Sequence, residues 1–242
     1  VLSGTGLLGQ QIAQNKAHLL AVDISLNDPT YFIADIGANH DGDLGRAKDL
    51  IYLAADAGAS AAKFQHFKAE TIVSEYGFNT LTNVKSHQTK WKKSVFEVYQ
   101  DASINQSWTE ELKFTCEKAG ITFFTSPYDL KIVDEIDKFV PAYKIGSGDI
   151  TWLEVLKKIS KKKLPVILAT GAATLDEDKQ AVKTIIKNNK KIVLMQCNTN
   201  YTNSIENYYF INLNVLKSYK QIFGDNVILG LSDHTHGHVS VL

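Results

Sequence analysis

Lys63 and Lys144 stand inside "AAKFQ" and "AYKIG", each flanked by apolar residues of strand-like character. An ammonium group within a buried strand is costly unless it meets an anion. Strand alternation puts Gln65 on the face of Lys63 and Gly146 on the face of Lys144. Further polar sets follow other apolar runs along the chain: Asp35, Asn39 and His40; His66; Thr125 and Ser126; Ser147 and Asp149; Thr170 and Gly171; Gln196, Asn198, Thr199 and Tyr201; Ser232, Asp233 and His234. Two lysines backed by Ser126, Ser147 and Ser232 would suit a phosphate or carboxylate ligand, held by point charges and hydroxyls. Arg46 is the one arginine among 26 basic residues, so bidentate guanidinium recognition has little part in such a site.

The last polar set runs on as "LSDHTHGH" (231–238), with three histidines at alternate positions after Asp233. Imidazoles beside a carboxylate have the donor chemistry of a divalent-metal site. His234 closes the apolar run before it, whereas His236 and His238 fall in the following loop and read as solvated loop residues.

The elements that must position these groups alternate in texture from Tyr31 onward. Strand-like runs occur at 31–37, 60–67, 121–126, 142–147, 166–170, 192–197 and 227–233. Between them lie stretches with helical spacing. In "LGRAKDLIYLAADAG" (44–58), Leu44, Ala47, Leu50, Ile51 and Ala54 recur at three- and four-residue intervals. Gly58 here, and Gly120 after "SWTEELKFTCEKA", sit where a helix end favours positive φ. Strands separated by helices imply parallel pairing with right-handed crossovers. The pattern predicts an α/β fold, a (β/α)8 TIM barrel that is incomplete, with about seven strands visible. In such barrels the active site gathers at the C-terminal ends of the strands, where every polar set above falls. The stretch 70–106 is long for a strand-to-helix loop, holds one amphipathic candidate helix near 91–100, and is placed to form a lid or substrate wall.

Composition excludes several classes. The 26 basic and 26 acidic residues balance, and with a single arginine this gives no support for nucleic acid as partner. Cys116 and Cys197 lack Cys-x-x-Cys spacing, which fits free thiols in a reducing cytoplasm. No apolar run approaches the ~20 residues that span a bilayer. Residues 1–30 stand apart from the repeat as a leader of uncertain origin, with 31–242 as the barrel domain. The leader holds Gly4, Gly6 and Gly9 in G-x-G-x-x-G spacing and Asp23 in a following strand-like run. The helix between them would have only about two turns and no third strand follows, so no dinucleotide site is expected.

Taken together, "FIADIGANHDGD", "AAKFQ", "FFTSP", "AYKIGSGD", "VILATG" and "GLSDHT", in that order, resemble the N-acetylneuraminate (sialic acid) synthase family over residues 31–242. The resemblance implies a cytoplasmic C–C bond-forming transferase that condenses phosphoenolpyruvate with an N-acylmannosamine-type sugar. The products would be a nine-carbon α-keto acid and phosphate. It implies that Lys63, Ser126, Lys144, Ser147 and Ser232 hold phosphoenolpyruvate, that Gln65, Asp149, Thr199 and Tyr201 face the sugar, and that Asp35 contacts the reacting centre. His234 would bind a divalent metal, Mn2+ or Mg2+, and the working unit would be a homodimer.

Departures from the family pattern accompany the match. Asp35 stands where the family has glutamate, Ala169 where it has serine, and Thr199 where it has asparagine. A second metal histidine on strand eight, and an arginine given to the partner's sugar site by a C-terminal antifreeze-like domain, would lie beyond Leu242. This 242-residue stretch by itself is therefore expected to turn over weakly or not at all. Two rival readings remain: a Schiff-base aldolase with Lys63 or Lys144 as nucleophile, and a non-catalytic sugar-binding fragment.

Overall fold

The computed structural model describes residues 29–80, 91–199, 201, 204–235 and 237. They form two compact units, one of residues 33–139 and one of residues 140–242 with 29–32. Residues 1–28, with the glycine fingerprint of the leader, and His236 and His238 lie outside the described residues.

The unit 33–139 is built on a parallel sheet in the order β1 (Ile33–Gly37), β2 (Ala61–His66), β3 (Thr122–Pro127). Helix α1 (Leu44–Asp56) joins the first two strands. It starts at Asp43, whose carboxylate accepts from the Arg46 N–H at 2.9 Å, an N-cap worth about 1 kcal/mol. Ala47, Ile51 and Ala54 carry its buried stripe, as the spacing predicts. Gly58 (φ +84°) and Gly120 (φ +74°) both end helices in the left-handed region. Between β2 and β3 lie α2 (Ala69–Ile72), α3 (Glu75–Thr80), α4 (Val95–Ala102) and α5 (Thr109–Lys118). The amphipathic segment expected near 91–100 is α4, starting later because Ser94 and Glu97 form a capping box that fixes its first turn. Helix α6 (Leu130–Ile136) follows β3.

In the unit 140–242 the parallel sheet runs β4 (Tyr143–Ile145), β5 (Val166–Ala169), β6 (Ile192–Cys197), β7 (Ile228–Ser232). Its helices are α7 (Leu153–Lys161), α8 (Leu175–Ile186) and α9 (Val215–Phe223). Val155, Leu156 and Ile159 of α7 are fully buried, each stabilising by about 1.5–3 kcal/mol. The α7–β5 and α8–β6 connections are knit together: Asn189 Nδ2 donates to Leu164 O at 2.6 Å, Asn188 Nδ2 to Ser160 Oγ at 3.0 Å, and Val166 N–H to Lys191 O at 2.9 Å. The protein is thus of the α/β class, with the strands of each unit pairing in chain order as consecutive strands of a (β/α)8 barrel do.

Candidate active site

The C-terminal end of β2 carries a polar face flanked by apolar layers. Asp35 pairs in register with Lys63, and Gln65 with Ser126. The Lys63 ammonium, 7% exposed, lies 2.7 Å from Asp35 Oδ1. The buried lysine therefore has a carboxylate built in beside it, and its charge is not carried to the rim. Ser126 is 2% exposed, one strand over from Gln65. Asp35, Lys63, Gln65 and Ser126 are brought together as the sequence predicts.

The "IGANHDG" segment shows how the chain leaves β1 beyond Asp35. The β1–β2 register slips between Asp35 and Gly37, a bulge that inserts Ile36 as an extra residue. Gly37 (φ +56°) turns the chain out of the strand, and Asn39 locks that turn by donating both its N–H (3.0 Å) and its Nδ2 (2.9 Å) to Ile36 O. His40, completely buried, accepts the Gly42 N–H at Nδ1 (3.1 Å) and meets the Trp108 ring edge-on at 5.9 Å. Burial lowers its pKa. Asp41 pairs with Arg46 at the exposed start of α1. Asn39 and His40 thus shape the loop.

His66 has a structural place too. It points to the face opposite Lys63 and Gln65, with Nδ1 2.7 Å from Thr125 Oγ1 and Nε2 2.8 Å from Thr109 Oγ1. Burial depresses its pKa to about 4, with a smaller contribution from the charge of His40, so near neutral pH it is an uncharged bracket between β2, β3 and α5.

In the unit 140–242, Lys144 is likewise 7% exposed. Its ammonium donates to Ile145 O at 2.9 Å. Ser147 and Asp149 follow in one 3-10 turn, with Ser147 buried. Desolvation lifts the Asp149 carboxyl to about 6 against the opposing pull of Lys144. Register and alternation place Ala169, Met195, Cys197 and Ser232 on the Lys144 face of the sheet, with Cys197 opposite Ser232. Ser147 Oγ lies 4.0 Å from Cys197 Sγ. Cys197, which is not among the polar residues closing β6 in the sequence, thus belongs to this cluster through the parity it shares with Met195. Gly171, named with Thr170 at the end of β5, packs against the same residue, since a Cβ there would meet Cys197 O at 2.3 Å. That backbone approach only glycine permits.

Three other residues from the polar ends serve the packing side. Gln196 donates to Ile211 O, and Asn198 Nδ2 to Asn207 O at 3.0 Å, pinning the segment after β6. Thr170 Oγ1 donates to Met195 O at 3.0 Å and lies 2.9 Å from the Tyr219 hydroxyl. Beyond β6, Thr199 is half-buried and Tyr201 is exposed.

His234 follows β7 with its ring 4.5 Å from that of Tyr201. The neighbouring Asp233 carboxylate accepts from Thr235, from its N–H at 3.1 Å and its hydroxyl at 2.7 Å. Among the described residues no group of three or more His, Cys, Asp or Glu side chains lies together as a metal site. His234 thus offers one donor and the residues described do not complete a coordination sphere.

Residues 50–242 match the NeuB family. The chain belongs to the NeuB family. Its NeuB relatives include the N,N'-diacetyllegionaminic acid synthase of Campylobacter jejuni, 37% identical over 217 residues, covering 88% of this chain and 63% of that protein. Human N-acetylneuraminate-9-phosphate synthase is 32% identical over 212 residues, covering 86% of this chain and 56% of that protein. The chain therefore spans about three-fifths of the length of these curated relatives. Among solved structures, the N-acetylneuraminic acid synthetase of Leptospira borgpetersenii aligns with a TM-score of 0.77 at 28% identity, covering 90% of this chain and 72% of that one. The NeuB fold thus agrees with the strand order described above.

Proposed function

We propose that the protein condenses phosphoenolpyruvate with an N-acylmannosamine-type sugar, giving a nine-carbon sialic-acid-like α-keto acid and phosphate. The observation that carries this reading is the buried Lys63, held 2.7 Å from Asp35 on the face that also bears Gln65 and Ser126. It is supported by membership of a family whose similar members carry synthase names.

Lys63, Ser126, Lys144, Ser147 and Ser232 bind the phosphate and carboxylate of phosphoenolpyruvate with fixed charges and hydroxyls. That preorganised field costs no reorganisation as the reaction proceeds. Gln65, Asp149, Thr199 and Tyr201 orient the sugar. The enol carbon attacks the sugar aldehyde, water adds to the resulting oxocarbenium carbon, and phosphate leaves by C–O cleavage. Asp35 sits at the reacting centre and is positioned to take the proton of the incoming water, with Lys63 balancing its charge. Mn2+ or Mg2+, with His234 as one ligand, supplies Lewis-acid polarisation of the aldehyde when bound. The assembly is a homodimer.

The test is phosphate release by the whole protein with Mn2+, phosphoenolpyruvate and several N-acyl hexosamines. Phosphate and a nine-carbon keto acid in equal amounts support the reading; sugar binding without phosphate release refutes it. In the Schiff-base alternative, a lysine would attack as a free amine. Lys63 is already engaged by Asp35, and borohydride trapping with pyruvate is expected to label neither Lys63 nor Lys144.

A further inference from the structure

We propose that the protein docks reversibly on an anionic lipid surface through a lysine cluster where α7 and α8 end, away from the site residues of the unit 140–242. The proposal stands independently of the synthase reading.

The balanced charge of the whole chain hides a local excess. Residues 155–175 hold five lysines and residues 179–205 another five, with no aspartate or glutamate in either stretch. The fold gathers them. Asn188 Nδ2 donates to Ser160 Oγ at 3.0 Å and the Lys163 ammonium donates to Asn188 O, so the C-terminal ends of α7 and α8 lie side by side. Lys161, Lys163, Lys187, Lys190 and Lys191 are all exposed there. Helix dipoles account for only part of this charge, because the last turns of α7 and α8 already carry Lys158, Lys161 and Lys183. Lys163, Lys187, Lys190 and Lys191 lie past the helix ends.

Acids of the same helices sit at the other end, Glu154 in the first turn of α7 and Asp176 and Glu177 in that of α8. Charge is thereby sorted along both helices. Lys163 and Lys191 come just before β5 and β6, whereas Cys197 and Ser232 of the site close β6 and β7. An anionic surface attracts the lysine end and repels the acidic end, which turns the C-terminal ends of these strands away from the lipid.

The make-up of the cluster selects the partner. None of the exposed large apolar residues falls within 155–166 or 183–192, and the one arginine, Arg46, is elsewhere. Protein interfaces concentrate aromatic residues and arginine and are poor in lysine. Nucleic-acid grooves likewise add aromatic stacking and arginine. Hydrated lysines without an apolar centre suit anionic headgroups, which attract polybasic clusters within a Debye length. The contact is electrostatic and peripheral; among the described residues no helix is long and apolar enough to cross a membrane.

The test is co-sedimentation of the whole protein with vesicles of phosphatidylcholine alone and of equal parts phosphatidylcholine and phosphatidylglycerol. Binding is expected only to the second. It is expected to vanish between about 0.1 M and about 1 M salt, as the screening length falls from ~10 to ~3 Å. Lys187→Gln/Lys190→Gln/Lys191→Gln is expected to weaken binding at least tenfold. The same three positions changed to arginine keep the charge and are expected to bind within twofold of the parent. So is Lys118→Gln/Lys131→Gln/Lys217→Gln, which removes as much charge singly from α5, α6 and α9. If the first glutamine set does not fold, Lys187→Gln/Lys190→Gln is read in its place. No binding to the anionic vesicles, or equal losses in the two glutamine sets, overturns the proposal. Tighter binding to polyglutamate or to duplex RNA than to the vesicles overturns it in favour of a soluble polyanion.

Discussion

Asp35 and Lys63 face each other across β1 and β2 in direct register, with carboxylate and ammonium 2.7 Å apart and the lysine side chain 8% exposed. The unbroken register from Ile33 to Asp35 sets the carboxylate opposite Lys63, one residue before the bulge at Ile36. The shorter carboxylate that departs from the family pattern thus has a well-placed partner. Asp35→Asn leaves a buried ammonium without its counter-charge. Asp35 is itself partly exposed, so the stability cost is expected near 1–2 kcal/mol, below that of a fully buried pair. On the proposed reaction the larger loss is in kcat, expected at about 10²-fold, because the group assigned to the reacting centre loses its charge. Steady-state kinetics and urea unfolding of the same variant check both, with Asp35→Glu expected to keep kcat within about tenfold.

Asp149 carries a stability cost in the unliganded protein. Its folded pKa, about 6, lies above the ordinary 3.8, so the folded state holds the proton more tightly than the unfolded chain. The resulting stabilisation is full below about 3.8 and is lost as pH rises through 6. Asp149→Asn should therefore gain up to about 3 kcal/mol relative to the parent at pH 8, and little at pH 4. Urea midpoints at the two pH values measure this; an equal effect at both would contradict the assignment. The same variant is expected to raise the KM for the sugar.

Much of this arrangement is legible from spacing. Every strand-like run matches an observed strand to within two residues at either end, because parallel strands covered by helices show as apolar blocks between periodic segments. Lys63, Gln65 and Ser126 share a face because the two-residue period of a strand requires it once the register is set. Parity shows which side chains share a face but not which partners they choose. His66, Thr170 and Gln196 look like rim residues in the chain and act as brackets, since Thr109, Tyr219 and Ile211 come from distant segments. The bulge at Ile36 is equally hidden, since it changes parity in a way that no hydrophobic period records.

His66 should make the unit 33–139 acid-sensitive. Its folded pKa, about 4, lies below the ordinary 6.5, so the unfolded chain binds the proton first as pH falls. The stability of the neutral form is full above 6.5 and is lost as pH falls towards 4, a difference of about 3 kcal/mol. The groups facing it are the Thr109 and Thr125 hydroxyls and, electrostatically, His40, which shifts in the same direction. His66→Asn is expected to be less stable than the parent at pH 7 and to show a shallower loss between pH 6.5 and 4. Equilibrium unfolding across that range is the measurement, and an unchanged slope would place the acid sensitivity elsewhere.

Tyr219, Asp178 and Thr170 form a chain with more contacts than hydroxyl protons to fill it. The Tyr219 hydroxyl lies 2.6 Å from Asp178 Oδ2 and 2.9 Å from Thr170 Oγ1, while Thr170 donates to Met195 O at 3.0 Å. Two hydroxyl protons cannot satisfy three contacts. All three contacts are filled when Asp178 is protonated and donates to Tyr219, Tyr219 to Thr170, and Thr170 to Met195 O; an ionised Asp178 accepts from Tyr219 and leaves one contact without a proton. Burial raises the Asp178 pKa, in the direction this requires, and Oδ1 is buried without a hydrogen-bond partner, as suits a neutral acid better than a carboxylate. Asp178→Asn, whose amide donates in the same place, is therefore expected to gain on the parent as pH rises from 5 to 8. Tyr219→Phe breaks the chain at both ends and is expected to cost about 1–3 kcal/mol at either pH. Combining the two should cost less than the sum, because once the hydroxyl is gone the acid has nothing left to donate to. Thermal or urea unfolding of the three variants at pH 5 and 8 decides it, and strict additivity would show that the contacts act independently.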